Sequence, residues 1–387
     1  MAGVAEGSVF RRLDYLTLAL VAMLSALGLY VIHAASLTLG LHNHLYFVER
    51  QMVWILAGAI ALAVIVAIPY PTLAKWARYL YWIMFALLAF VLVKGHTALG
   101  ASRWIGTSSI QIQPSELAKV MIIITLADHL NRKASLKRWR DLVSPIVHVA
   151  VPMLLIIKQP DLGTALVFVA ILVGMLFMAG APWWKLLVIF GGGLGLMVFW
   201  IYAHLHLMIG HHHIPLPLHT YQLDRLLSFL NPNADPLGTG YNVIQSRVAV
   251  GTGGLYGLHH VSPTGQLSFL PESYTDFIFA VLGNQLGFVG STAVLGLYFI
   301  LMARGLFIAA NAKDRLGMLM ATGVVAMIGF HVIENAGMAT GVMPVAGVPL
   351  PFMSYGGSAF MADAGAVGLL LNVWARHQPF MFRVGQS

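Results

Sequence analysis

The sequence predicts an all-α polytopic membrane protein of about ten transmembrane helices, with a long extracytoplasmic loop between spans seven and eight. Three observations predict it. The 387 residues are 59% hydrophobic and only 9% charged, whereas a soluble domain carries about 25% charged residues; the mean hydropathy is +0.81. Apolar residues fall in runs of about 20, the length a helix needs to cross a bilayer. Lys and Arg gather between alternate pairs of these runs.

In chain order, the candidate spans are 14–35, 50–68, 78–94, 114–130, 144–158, 162–180, 184–203, 276–303, 316–336 and 358–375. "VFRRLDYLTLAL" runs into the first with no small-residue cleavage pattern, so no cleavable signal is expected. Setting Arg11 and Arg12 inside brings Lys75, Arg78, Arg132, Lys133, Lys137, Arg138 and Arg140 to the same side. Lys185, Arg304, Lys313, Arg315, Arg376 and Arg383 follow, making 15 of the 22 basic residues. Both termini are therefore expected in the cytoplasm, and the net charge of +8 reads as membrane topology rather than nucleic-acid binding. The absence of cysteine excludes disulfides, thiolate nucleophiles and Cys-ligated metals. Residues 204–275 break the rhythm; a loop of that length usually carries function. Its segment "TYQLDRLLSFL" is amphipathic and predicts a short helix near the interface. No internal repeat is evident, and residues 1–387 read as one domain.

The informative residues are polar groups that survive near the outer ends of the spans, because ionisable groups at membrane depth are costly. In "RWIGTSSIQIQPSELAK", Pro114 suits a first helical turn and sets Glu116 and Lys119 on one face. They read either as a self-neutralising ion pair or as the charged floor of a cavity. Arg103 beside Trp104 offers a phosphate-binding fork or an interfacial anchor. Asp161 in "KQPDLGTAL" suits a helix N-cap, a role compatible with facing a cavity. Arg225, Gln245 and Arg247 add donors from the long loop, and Ser354 lies in the Pro- and Gly-rich "GVPLPFMSYGGSA". That stretch cannot form a regular span, so it must be buried in protein or line a cavity. Asp276 opens the eighth span in "FLPESYTDFIFA". It reads as a helix-dipole acid or, since Ser273 and Thr275 could cap without charge, as a functional carboxylate. The histidines at 204, 206, 211, 212, 213, 219, 259 and 260 lack the i,i+4 spacing of a helical zinc site. His331, Glu334 and Asp363 fall within or near the last two spans and stay unassigned.

These stretches together resemble the SEDS family of polytopic peptidoglycan polymerases, and "QSRVAVGTGG" with "GVPLPFMSYGGSA" is more similar to its RodA branch than to FtsW. The resemblance covers nearly the whole chain. It departs at Tyr274, where the family usually has His, and at Asn284 and Gln285, where it often has paired acids. What it implies is an inverting glycosyltransferase in the bacterial cytoplasmic membrane. Working at the outer face, it would polymerise lipid II for cell elongation and shape and release undecaprenyl pyrophosphate. A class B penicillin-binding protein is the implied partner, and Mg²⁺ or Mn²⁺ the implied divalent metal. The family's essential acid falls on Asp276, as general base or as ligand to that metal, while Arg103, Trp104, Glu116 and Lys119 match cavity positions. Three other readings stay open: a lipid II flippase or transporter, the division (FtsW-like) paralogue, and a scaffold without chemistry.

Overall fold

The computed structural model describes residues 9–37, 45–98, 101–106, 111–206, 208–209, 212–213, 220–258 and 266–377. In chain order the helices are α1 (Tyr15–Leu37), α2 (Tyr46–Ala67), α3 (Tyr70–Lys75), α4 (Ala77–Lys94), α5 (Pro114–Asn131), α6 (Trp139–Lys158) and α7 (Leu162–Met178). Then come α8 (Trp183–Leu186), a π-helical turn, α9 (Gly192–His206), α10 (Thr220–Leu230), α11 (Tyr241–Thr252), α12 (Ile278–Ala310), α13 (Arg315–Thr340) and α14 (Gly357–Ala375). A small antiparallel sheet, β1 (His96–Ala98), β2 (Ala101–Gly106) and β3 (Gln111–Ile112), follows α4, and a two-stranded ribbon, β4 (Met208–Ile209) and β5 (His212–His213), follows α9.

Each expected span corresponds to a helix or, for the seventh, to α8–α9 joined through the π turn. Seven are long and apolar enough to cross a membrane, and α4 and α7 are shorter apolar helices. The exception is α5, whose Glu116, Lys119 and Asp128 dilute its apolar face. It lies inside the bundle nonetheless, packed against α4, α13, α14 and α7. The centre is built by α13 and α14, with 72% and 83% of their apolar windows buried, against 17% for α2. The eighth span starts at Ile278, two residues later than the sequence suggested, so Asp276 sits in the turn ahead of the helix. The amphipathic segment in the long loop forms α10 as expected, and α11 adds a second helix to that loop. His211, His219, His259 and His260 lie outside the described residues. Among the described residues no group of three or more His, Cys, Asp or Glu could hold a metal ion.

The two ends of the bundle differ in chemistry. At the end where α1 begins, basic side chains take up carbonyls that helix termini leave open. Arg315 donates to Lys133 O at 2.7 Å and Ala179 O at 3.1 Å, and Arg376 to Val66 O at 3.0 Å. Arg304 forms a bidentate pair with Asp14 at 2.9 and 3.0 Å, tying α12 to the start of α1. The residues counted as topology signals thus also close the helix ends. Arg304→Leu strands Asp14, which is 5% exposed. It is expected to lower stability by about 2–4 kcal/mol, with partial recovery on adding Asp14→Leu, as read by thermal unfolding in detergent.

Candidate active site

The opposite end collects the helix starts and the irregular segments. Pro114 occupies the first turn of α5, where its missing N–H costs nothing. Asp161 caps α7, accepting from Thr164 N at 3.2 Å and Thr164 Oγ1 at 3.0 Å. Its second oxygen also takes Ser115 Oγ at 3.1 Å and Gln113 Nε2 at 3.0 Å, locking α7 to the entry of α5. The two readings of Asp161, cap and cavity wall, are both realised.

Asp276 does not cap its helix: Phe277 holds the cap position, with no side-chain cap bond. Thr275 instead turns its hydroxyl to the Glu272 carboxylate at 2.8 Å. The backbone ahead of α12 folds around Glu272, which lies in the left-handed region at φ +52°. Non-glycine residues hold such a conformation only where the surroundings over-determine it. Here three consecutive carbonyls are gripped. Tyr355 N donates to Tyr274 O at 2.9 Å, Ser354 Oγ to Thr275 O at 2.7 Å, and Asn335 Nδ2 to Asp276 O at 2.7 Å. Asn335 Nδ2 also reaches Val348 O at 2.8 Å, so one amide ties the turn to the Pro-rich stretch after α13. Gly347, at φ +74°, passes so close that a Cβ would lie 3.0 Å from Asp276 Oδ2; the bare glycine leaves that oxygen room.

These segments enclose a cavity of about 410 Å³. Seven of the expected residues line it: Arg103, Trp104, Glu116, Lys119, Asp161, Arg225 and Asp276. β2 carries Arg103 and Trp104 to the rim. Arg103 donates through Nε to Gln159 O at 3.1 Å and through Nη2 to Pro160 O, which anchors the guanidinium against the turn before α7. α10 brings Arg225 across from the long loop, with Nη1 3.4 Å from Val345 O. Glu116 and Lys119 pair at 2.7 Å on the floor. Three other candidates stand elsewhere. Arg247 donates to Gly341 O at 3.0 Å and closes the end of α13, Gln245 lies half-buried on α11, and Ser354 is spent on the Thr275 carbonyl.

Glu272, Gln113, Tyr355 and Ser358 also line the cavity, and sequence reasoning did not single them out. Glu272 stood in the quoted "LPESYTD" but its role depends on the left-handed turn, which no spacing rule signals. Tyr274, at the family's usual histidine position, packs against Phe47 and Tyr355 with ring centroids at 4.5 and 5.8 Å. It serves an aromatic wall beside the acid. Asn284, where the family often has an acid, bonds Ala249 O at 3.1 Å and Thr252 Oγ1 at 3.0 Å, joining α12 to α11.

Asp276 keeps part of its surface open to the cavity, yet the dense protein around it desolvates the carboxylate. That burial, reinforced by the charge of Glu272, pushes its pKa up to about 6, against the pull of Arg225 and Arg103. For a divalent metal the described residues offer no cage. Asp276 and Glu272 share the wall, which suits Mg²⁺, an ion held by one or two carboxylates together with substrate phosphates.

Fold and cavity together define an integral membrane protein with an acid- and cation-lined hollow at one end of a helical bundle. The FtsW/RodA/SpoVE family model, described as that of a cell cycle protein, matches residues 14–378. The chain is 37% identical over 326 residues to the peptidoglycan glycosyltransferase MrdB of Escherichia coli, covering 84% of this chain and 85% of that one. It is 35% identical over 371 residues to a Trichlorobacter lovleyi protein named "Probable peptidoglycan glycosyltransferase FtsW", covering 94% and 93%. Among solved structures it resembles a chain of a peptidoglycan synthase complex that coordinates polymerization and crosslinking, with a TM-score of 0.77 and 31% identity over 94% of this chain and 97% of that one. The chain belongs to the FtsW/RodA/SpoVE family.

Asn335→Leu removes the donor to both Asp276 O and Val348 O. Leaving two buried carbonyls unpaired is expected to cost about 2–4 kcal/mol, read as a lowered unfolding midpoint in detergent.

Proposed function

We propose that this chain is a peptidoglycan glycosyltransferase that polymerises lipid II into glycan strands at the outer face of the cytoplasmic membrane. One observation carries the reading: the Asp276 carboxylate and three cations, Arg103, Lys119 and Arg225, line one cavity. Relatives named for this activity, over most of the chain's length, support the reaction class.

The chemistry follows from the charges. Asp276 takes the proton from the acceptor sugar's hydroxyl as general base. The hydroxyl oxygen attacks the donor's anomeric carbon from the face opposite its pyrophosphate. The new C–O bond forms as the bond to pyrophosphate breaks, so an α-linked donor becomes a β-linked strand in one displacement. Undecaprenyl pyrophosphate leaves with the electron pair of the broken bond, one more negative charge on its terminal phosphate, and Arg103, Lys119 and Arg225 stabilise it. Arg225 suits phosphate through its forked donors, and Arg103, whose Nε and Nη2 hold the carbonyls before α7, contributes its charge. In the alternative role, Asp276 would hold a bound Mg²⁺ or Mn²⁺ together with Glu272, and the metal would add charge neutralisation at the pyrophosphate.

The alternative of a flippase needs access from both faces. Residues of α5, α13 and α14 such as Ile122, Val324 and Val367 are each 0% exposed, which favours packed helices over a path to the second face. A class B penicillin-binding protein is the inferred partner, on the likeness to a chain of a peptidoglycan synthase complex. Of the cellular roles, elongation is favoured by the RodA-like "QSRVAVGTGG"; rescue of a rod-shape-defective strain, but not of a division-defective one, would bear it out.

Purified chain given lipid II should make glycan without a second polymerase. Asp276→Asn is expected to lose activity by about 10²–10⁴-fold, and glycan made at the parental rate would refute the base role. Because the base works only when deprotonated, kcat/KM should fall as pH drops through about 6. Arg225→Gln should move that acid limb to higher pH, since its charge holds the value down. Glu272→Gln should move it lower.

A further inference from the structure

Beneath the cavity, four ionisable side chains stand in single file across three helices. Glu116 and Lys119 come from α5, His331 from α13 and Asp363 from α14. None is more than 4% exposed. Groups this deep are costly unless paired and mark function by default. The chemistry above uses only Lys119, with Glu116 as its ion-pair partner.

The contacts set where the protons lie. Lys119 Nζ is 2.7 Å from Glu116 Oε2 and 3.1 Å from His331 Nε2. An ammonium only donates, so Nε2 accepts and the neutral ring carries its proton on Nδ1. That atom faces Asp363 Oδ1 at 3.8 Å. Neither Nδ1 nor Oδ1 has another hydrogen-bond partner among the described residues, so the two buried polar atoms face each other alone. Lys119 thus donates to His331 and stands at ion-pair distance from Glu116, while its side chain also lines the cavity.

We propose that His331, oriented by Asp363, is a positioning residue that fixes the Lys119 ammonium on the cavity floor. The inference rests on the reading of Lys119 as a partner of the leaving pyrophosphate. Glu116 is on the same helix three residues away and restrains a flexible four-carbon stem from one side only. An acceptor from α13 restrains it from a second. A neutral imidazole does this without cancelling the positive charge, as a second carboxylate would. Asp363 holds the tautomer that keeps Nε2 an acceptor, the way a carboxylate commonly orients a functional imidazole. The cation's place is thus set by the packing of α13 and α14, and the first turn of α14 lines the same cavity through Ser358 and Ala359.

The test is steady-state lipid II polymerisation by the full chain and its variants in detergent. His331→Leu is expected to lower kcat by roughly ten- to a hundredfold, the cost of a misplaced catalytic group, with KM changed far less. His331→Gln, whose amide oxygen can accept from Lys119, should recover most of that loss, and Asp363→Asn, which retains an acceptor for Nδ1–H, should stay near the parent. In a Lys119→Met background, His331→Leu should add little, because the two act as one unit. Parental kcat in His331→Leu, equal impairment in the Leu and Gln variants, or an undiminished His331→Leu effect without Lys119 would each overturn the inference while leaving Lys119 in its proposed role. Should His331→Leu fail to fold, Asp363→Leu against Asp363→Asn decides the matter on the same terms. Parental kcat in Lys119→Met would overturn both this inference and the role given to Lys119 above.

Discussion

The site depends on the grip that the chain after α13 and α13 itself exert on the backbone before α12. A carboxylate in an apolar bundle is stable only if its surroundings leave it no cheaper conformation. Regular helix would have turned Asp276 toward its own N-terminus, where the macrodipole would bind it and lower its basicity. Instead the carbonyls of Tyr274, Thr275 and Asp276 are each held from outside by Tyr355, Ser354 and Asn335. Irregular backbone at this depth survives only because every such group finds a partner within the protein. The same grip keeps the carboxylate in a partly desolvated wall, and hence at a basicity suited to taking a proton near neutral pH.

The rest of the bundle divides its labour by end. Where α1 begins, Arg315 and Arg376 close helix termini and Arg304 pairs with Asp14. At the other end, the starts of α5, α7 and α14 meet the turn before α12, and their polar groups line a hollow. Helix starts expose N–H groups and positive dipole ends, so this end is suited to anions before any side chain is added. Arg103 and Arg225 reach it from outside the bundle, by way of β2 and α10. Lys119 reaches it from within, supported by Glu116 and His331.

How much of this was legible in the sequence differs by residue. Helix count and order were legible, because a bilayer demands about 20 apolar residues per crossing and the chain supplies them in separate runs. α5 was found by its Pro start and helical spacing although its charges dilute its apolar character. Arg103, Glu116, Lys119, Asp161 and Asp276 stood out as polar groups at span ends, and they do line one cavity. Glu272 and Asn335 did not stand out, since their roles arise from a left-handed turn and a long-range amide contact. Arg247 and Ser354 looked like binders, yet neither lines the cavity: Arg247 Nη2 meets the end of α13 and Ser354 Oγ the Thr275 carbonyl. A donor's availability depends on which carbonyl folds beside it, and composition carries no record of that.

The sequence by itself determined that this protein is a bundle of membrane-crossing helices, which runs cross, and which few charged groups sit at their ends. Hydrophobic length and charge bias are local properties, readable one segment at a time. Only the tertiary structure decided that Asp276, Arg103, Lys119 and Arg225 share a hollow, that Glu272 joins them, and that His331 and Asp363 stand behind the lysine. Those are meetings between segments up to some 260 residues apart in the chain, and they follow from how α5, α7, α12, α13 and α14 pack, which no single segment encodes.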